Sequence, residues 1–488
     1  MKNRQSWAEL YALDVDRAAD APVFRQIYLQ LRSAILSGTL RPGMKLPSTR
    51  ELAVQLSVSR SAVVAAFEQL LAEGYAAGRK GAGTFVASDL PEPFAAVHGR
   101  KPRPASVSGT AAFQDLGDFV DVTAQSDERP FNLGRTLVDA RTAELWRKLS
   151  ARSLRSFGRQ HLGYGDPRGM PELRKSVCEY LRAARAVRCE PEQIVITAGT
   201  QQALDIIIRV MQGPDKAVWI EDPGYSLTRL ALVAAGVAVC PVPVDRHGVN
   251  VTEGIRRAPK ARAVFITPSH QFPKGVALSM ARRLELLAWA RESGAWIVED
   301  DYASEFRYGG RPLASLQGLD DAERVIYIGT LNKALFPGLR LGYAVVPPSL
   351  VRAFVTARYL MDRQPSSLCQ AVLTGFMEEG HFAAHIRRMR EMYRSQRDAL
   401  VTALRRRLGD HLTVEPPDQG MHLVAYTRRG LSDVGIERLA RDHGVVVRAM
   451  SRLYVEAPAQ SALMLGFSGY PRQIIAPAIA RLGRAFAR

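Results

Sequence analysis

Apolar residues fall into two rhythms along this chain. Near the N-terminus, Val23, Ile27, Leu31 and Ile35 recur every four residues and predict a first helix with one apolar stripe. Ser48-Thr-Arg-Glu51, just after Pro47, has the spacing of a capping box and predicts a short second helix ending near Leu56. Ser57-Val58 reads as a tight turn. Ser59 then caps a third helix with Val63, Phe67, Leu70 and Leu71 on its inner face, closed by Gly74-Tyr75. Gly78-Arg-Lys-Gly-Ala-Gly83 supplies a hairpin tip before the strand Thr84-Phe85-Val86. A first domain, 20–88, is therefore expected to be three helices and a basic hairpin.

Residues 89–116 lose the periodicity and fill with Pro, Ala, Ser and basic residues, as a semi-extended linker does. From 117 to 488, short apolar runs alternate with amphipathic stretches. Ile194–Thr197, Ala217–Ile220, Val237–Cys240, Ala263–Thr267, Trp296–Glu299 and Val325–Ile328 read as buried strands, with helices such as Gln201–Met211 and Met280–Ser293 between them. That alternation predicts an α/β domain with a mostly parallel sheet covered on both faces.

At 488 residues the chain exceeds one ordinary core, which agrees with a multidomain reading. Its 47% apolar and 23% charged residues are those of a soluble globular protein, and a net charge of +18 favours a polyanionic partner. Cys178, Cys189, Cys240 and Cys369 show neither metal-site pairing nor a disulfide framework; no metal is expected, and reduced thiols point to the cytoplasm. Met1 to Leu10 lacks the apolar core of a secretory signal. The longest apolar run, Leu230–Val244, is interrupted by Pro241 and Pro243 and is too short to span a bilayer, so no membrane association is expected.

In the first domain, Ser59, Arg60 and Ser61 open the third helix, where a recognition helix meets base edges or phosphates, and Arg50, Arg79 and Lys80 are placed to hold the backbone. The run Leu46-Pro-Ser-Thr-Arg-Glu-Leu-Ala, then Val58-Ser-Arg and the glycine-rich hairpin, resembles the GntR family of winged helix-turn-helix regulators. The resemblance implies a double-stranded DNA operator. Val64 stands where some members carry a further arginine.

The second domain carries a different chemistry. Lys333 follows an apolar run, with Pro337 and Gly338 breaking any helix beyond it, so it is expected on a constrained loop. Thr330 and Arg340 flank it at spacings suited to phosphate oxygens, and a lysine in such a cationic, partly desolvated place has a lowered pKa and can capture an aldehyde. Asp300, at a predicted strand end, suits a pyridine nitrogen, and Tyr302, two residues on, faces the same side. Ala198-Gly-Thr-Gln201 opens a helix whose Thr200, Gln201 and free N–H groups can cradle a phosphate. Tyr225, in Glu221-Asp-Pro-Gly-Tyr225, offers an aromatic face, and Thr267–Gly275 is a rigid turn.

Together, in this order, these segments resemble the fold-type I pyridoxal-phosphate aminotransferases. The resemblance implies Lys333 as the Schiff-base lysine, Asp300 and Tyr302 as partners of the ring's nitrogen and phenolic oxygen, Arg340 as a phosphate ligand and Tyr225 as the stacking ring. Leu162–Gly169 resembles the segment whose tyrosine, here Tyr164, reaches the neighbouring subunit's phosphate, implying a homodimer. The combination with the DNA reader resembles the MocR/GabR-type subfamily, in which the aminotransferase-like domain binds pyridoxal 5'-phosphate and senses a small amine or amino acid; Arg452 is the expected carboxylate-binding residue. Asn332, Ala303 and Lys274 depart from the common pattern, which has serine, aspartate, and threonine or serine there. The basic helix from His381 to Arg407 is expected to be a solvated face. Two other readings share the same residues: an active aminotransferase with an appended DNA-binding domain, and a regulator sensing pyridoxal phosphate itself.

Overall fold

The computed structural model describes residue 7 and residues 13–79, 81–90, 126–211, 217–309, 313–428, 430–456 and 459–486. It divides into two compact units, 1–108 and 109–488. The predicted linker lies, beyond Leu90, outside the described residues, as does Lys80.

The first unit contains helices α1 (Val23–Leu36), α2 (Thr49–Gln55) and α3 (Arg60–Ala72), then a hairpin of β1 (Ala76–Arg79) and β2 (Gly83–Val86). The Ser48 hydroxyl accepts from the Glu51 amide at 3.1 Å, and the Ser59 hydroxyl accepts from the Ala62 amide at 3.3 Å, so each serine satisfies a helix-end donor. Only the serine half of the expected capping box is seen among the described residues. Ser57, at φ 54°, makes the turn between the two caps. Ile27, Leu31, Ile35, Leu52, Val63, Phe67 and Leu70 meet in one core. Leu71, expected on the inner face, is 39% exposed, and the small Ala66 takes the buried place instead.

The second unit is built on an eight-stranded sheet of order β3-β10-β9-β8-β7-β4-β5-β6. The strands are β3 (Ile194–Thr197), β4 (Val218–Asp222), β5 (Val239–Asp245), β6 (Gly248–Val249), β7 (Ala263–Ile266), β8 (Trp296–Asp301), β9 (Val325–Thr330) and β10 (Gly342–Val345). β4, β5, β7, β8 and β9 run parallel; β10 is antiparallel to both its neighbours, and β6 to β5. All six predicted apolar runs overlap strands, although Val237 and Ala238 precede β5, Ala217 precedes β4 and Thr267 follows β7. Helices α4 (Thr200–Val210), α5 (Ser226–Ala234) and α6 (Met280–Ser293) connect them in crossover fashion. The strand faces fill two separate cores, one with Val195, Ile207, Val298 and Ile328, the other with Trp219, Val264, Ile297 and Leu286, as a doubly covered sheet requires.

A long helix, α7 (His381–Leu408), leads to a second, four-stranded antiparallel sheet of order β11-β12-β14-β13. Its strands are β11 (Leu412–Val414), β12 (His422–Thr427), β13 (Arg448–Ala449) and β14 (Ala462–Gly466). Val445, Val446 and Val447 read as strand in the sequence, yet they are buried without joining the ladder, which begins only at Arg448. The basic residues of α7 are in part structural: Arg388 pairs with Asp139 at 2.8 Å, and Arg390 and Arg405 donate to the carbonyls of Glu305 and Val414. No helix of the described residues is long and apolar enough to cross a membrane.

Candidate functional site

The site gathers where strands of the large sheet end. β9 delivers Lys333. Thr330, its last residue, caps a one-turn helix (Leu331–Ala334) by accepting from the Asn332 amide at 3.2 Å. Lys333 thus stands on a short helix rather than the loop its sequence suggests, and the turn holds Nζ 4.3 Å from the centre of the Tyr302 ring. β8 supplies the facing groups. Alternation along the strand sends Asp300 and Tyr302 to one side and Asp301 to the other. Asp300 Oδ1 and the Tyr302 hydroxyl are buried and have no hydrogen-bond partner among the described residues. Burial pushes Asp300 up to about 7, against the pull of Lys333, and burial lowers the Lys333 ammonium, against the pull of Asp300. Burial thus disfavours the charged form of both groups.

Behind them, Asp301 accepts from Arg185 Nε at 2.7 Å and from the Tyr327 hydroxyl at 2.5 Å, and Arg185 Nη2 donates to Ser269 Oγ at 2.7 Å. This buried pairing ties the end of β8 to the turn after β7, fixing where Asp300 and Tyr302 point.

A second cluster forms at the start of α4. Gly199, at φ 114°, precedes it, and a Cβ there would lie 2.9 Å from Asn332 Nδ2 and 4.0 Å from Arg340 Nη1. The unpaired amides of the first turn, at Thr200 and Gln201, therefore share one small space with an amide side chain and a guanidinium. Asn332 also accepts from the Leu341 amide at 2.8 Å, so the residue that departs from the usual serine braces the Arg340 segment.

Tyr225 stands immediately before α5, edge-on to Phe272 at 5.6 Å between ring centres. A cleft lined by Tyr225, Glu221, Thr267, Asp300, Leu453 and Val455 joins the two sheets. Glu221 accepts from the Thr267 amide at 3.1 Å and from its hydroxyl at 2.6 Å, and burial pushes it up to about 8. Next to it, Asp222 takes the Val455 amide on one oxygen (2.9 Å) and the Glu456 amide on the other (3.0 Å).

Two expected residues stand apart. Tyr164 is 81% exposed, with the Arg363 guanidinium 4.4 Å over its ring. Arg452 is exposed and bound to Glu437 at 3.1 Å; Leu453 and Val455 line the cleft and Arg452 does not. Sequence reasoning also passed over a cluster of three rings, two of them against Tyr302. His270 lies 6.0 Å and Phe272 6.3 Å from it between ring centres, and His422 lies 5.5 Å from His270. Burial drives His270 down to about 3, so the ring is neutral at physiological pH. The Thr267–Gly275 turn was visible as a motif, but His422 comes from a distant strand and leaves no local signal.

On the first unit, Arg50, Ser59, Arg60, Ser61 and Arg79 are all exposed. Arg50 and Arg60 have no acidic partner among the described residues, and Arg79 lies 4.6 Å over the Phe85 ring.

Comparison with known proteins decides the family. Residues 24–86 match the model described as bacterial regulatory proteins, gntR family, and residues 131–482 match aminotransferase class I and II. A probable rhizopine catabolism regulatory protein, MocR, of Rhizobium meliloti is 40% identical over 97% of this chain and 96% of its own length. The chain belongs to the MocR-type regulators of the GntR family. Another relative of this MocR-type chain is the pyridoxine biosynthesis transcriptional regulator PdxR of Corynebacterium glutamicum, 30% identical over 94% of this chain and 95% of its own. Among solved structures, the α-aminoadipate aminotransferase LysN of Thermus thermophilus, complexed with N-(5'-phosphopyridoxyl)-L-leucine, is similar at a TM-score of 0.70 and 28% identity, covering 78% of this chain and 98% of its own. A MocR-type regulator thus joins a winged DNA-binding unit to a unit with the fold-type I aminotransferase fold.

Proposed function

We propose that this regulator holds pyridoxal 5'-phosphate in the second unit and that a small amine or amino acid, meeting it there, alters DNA binding by the first. The observation that carries the reading is the geometry at Lys333: an amine lowered by burial, set over Tyr302, facing a buried carboxylate and a phenol that both lack partners. Those orphaned atoms, with the N–H cradle at Gly199 and the adjacent guanidinium, fit a phosphorylated pyridine aldehyde at every polar edge. When bound, the cofactor supplies an aldehyde carbon that exchanges amine partners and a ring that withdraws electrons.

The chain's own residues divide the work. Thr200, Gln201, Thr330 and Arg340 hold the phosphate. Asp300 holds a proton on the ring nitrogen, and the Tyr302 hydroxyl donates to the phenolic oxygen. Tyr225 would cover one ring face, and Lys333 Nζ would hold the aldehyde carbon, the atom for which an effector amine would compete. Tyr164, exposed on its own protomer, is assigned to a partner's phosphate in a cytoplasmic homodimer. Arg452 needs to leave Glu437 before it meets an effector carboxylate.

The effector acts only through unequal affinity for two conformations of the protein. At fixed salt, an amine that changes operator affinity of the wild type is expected to leave Lys333→Ala unchanged. A response of equal size in that variant refutes the switch. Repeated turnover with an amino donor and a 2-oxo acid would instead favour an aminotransferase, and a response to cofactor alone would favour a sensor of pyridoxal phosphate.

A further inference from the structure

Tyr164 is exposed and yet held in place. The Gly165 amide donates to Gln364 Oε1, and Gln364 Nε2 donates to the Gly163 carbonyl at 3.4 Å, so one side chain grips both flanks of the tyrosine. Ser367 Oγ donates to the His161 carbonyl at 2.7 Å. The Arg363 guanidinium lies 4.4 Å over the Tyr164 ring and 5.8 Å from the centre of the Tyr359 ring. Backbone and ring are thus both fixed from a distant segment, while the Tyr164 hydroxyl keeps no hydrogen bond among the described residues.

The residue over the ring is itself strained. Arg363 follows the helix Pro348–Asp362 at φ 65° and ψ −71°, and the Gln364 amide donates back to the Asp362 carbonyl at 2.8 Å. That is a γ-turn of the rare positive-φ kind, unfavourable for any residue with a Cβ. Such a conformation persists only where its surroundings over-determine it. Here Gln202 anchors one end, donating from Nε2 to Asp362 Oδ2 at 2.8 Å while its Oε1 accepts from the Ala198 amide at 2.7 Å, beside the Gly199 cradle. The bonds of Gln364 and Ser367 anchor the other. A glycine would adopt this turn at less cost. The arginine that stands there has no carboxylate partner among the described residues, and its guanidinium lies against two aromatic rings.

We propose that Arg363 is a positioning residue: the strained turn at 362–364 fixes the Tyr164 ring so that its hydroxyl is presented to the cofactor phosphate in a second copy of this chain. This rests on the assignment of Tyr164 to a partner's phosphate. Arg363 acts through that tyrosine alone, because a ring already fixed loses less freedom when the ligand arrives.

The test titrates full-length protein with pyridoxal 5'-phosphate and, in parallel, with pyridoxal, which lacks the phosphate. Tyr164→Phe removes a hydrogen bond to a charged group and is expected to weaken the phosphorylated ligand about tenfold or more. Arg363→Gly suits the backbone but frees the ring, and is expected to weaken the same ligand by about two- to tenfold. Its affinity for pyridoxal is expected to stay that of the wild type, and its ligand-free melt to stay within about 2 °C. Combined with Tyr164→Phe, it is expected to add no further loss. Wild-type affinity for pyridoxal 5'-phosphate in Arg363→Gly, with Tyr164→Phe weakened, overturns the positioning role and leaves the tyrosine's assignment standing. Equal loss with both ligands overturns it too, since that marks a general disturbance of the site. So does an additive loss in the double variant, which would give the guanidinium a contact of its own. Wild-type affinity in Tyr164→Phe refutes the tyrosine's assignment, and the proposal with it; that result is distinct from the others.

Discussion

Asp300→Asn separates what the site needs from what the fold prefers. In the cofactor-free protein, burial raises this carboxyl from 3.8 to about 7. At about 1.4 kcal/mol for each tenfold change in proton affinity, holding it charged in the native state is unfavourable by roughly 4 kcal/mol. The sign follows from proton counting. Between about 4 and 7 the unfolded chain has released this proton and the folded chain has not, so stability falls as pH rises through that interval and is level above it. Asparagine has no such dependence. For the second unit, residues 109–488, an unfolding entropy of about 2.1 cal/mol/K per residue converts roughly 4 kcal/mol into about 5 °C. Melts of cofactor-free protein are expected to place Asp300→Asn up to about 5 °C above wild type at pH 8, and by about half as much at pH 5.5. Added pyridoxal phosphate is expected to raise the wild-type melt and to do far less for the variant. A variant that melts at or below wild type at pH 8, or a gap that does not shrink on acidification, refutes the argument that Asp300 is a destabilising charge kept for a ligand.

Gly199→Ala places a Cβ against Asn332 in an extended backbone region of positive φ that is essentially reserved for glycine, a strain of about 1–3 kcal/mol; it is expected to weaken cofactor binding at least tenfold by absorbance titration, and wild-type affinity would disprove the cradle. Ser59→Ala removes the α3 cap and is expected to lower the first unit's stability by about 1 kcal/mol in urea unfolding. Arg60→Ala is expected to abolish operator binding in a mobility shift while the cofactor absorbance persists. If the absorbance disappears as well, the two units are not independent.

The fold was legible wherever a local rhythm reported it. Ile194–Thr197 and Trp296–Glu299 are continuous apolar runs because both sheet faces are covered, and Met280–Ser293 keeps its helical bounds because Ser279 caps it and Gly294 ends it. Short edges escaped: β10 is four residues inserted antiparallel between β3 and β9, a pairing set by the turn at Pro337–Leu339 rather than by any period. Within the site, Lys333, Asp300, Tyr302 and Thr200 were readable because each closes or opens an element. His422 and Asp222 were not, since their importance lies in contacts with residues far along the chain. Leu71 shows the limit of periodicity, which places a side chain on a face without saying how wide the buried face is.

Asp222 links the two sheets of the second unit through one carboxyl group. Its two oxygens hold consecutive amides of the segment running from β13 to β14, and it is itself nearly sealed from water. Tilting the smaller sheet away from the larger one lengthens both of these bonds together. Opening that junction requires water to take over both bonds, because buried polar groups left without partners are costly.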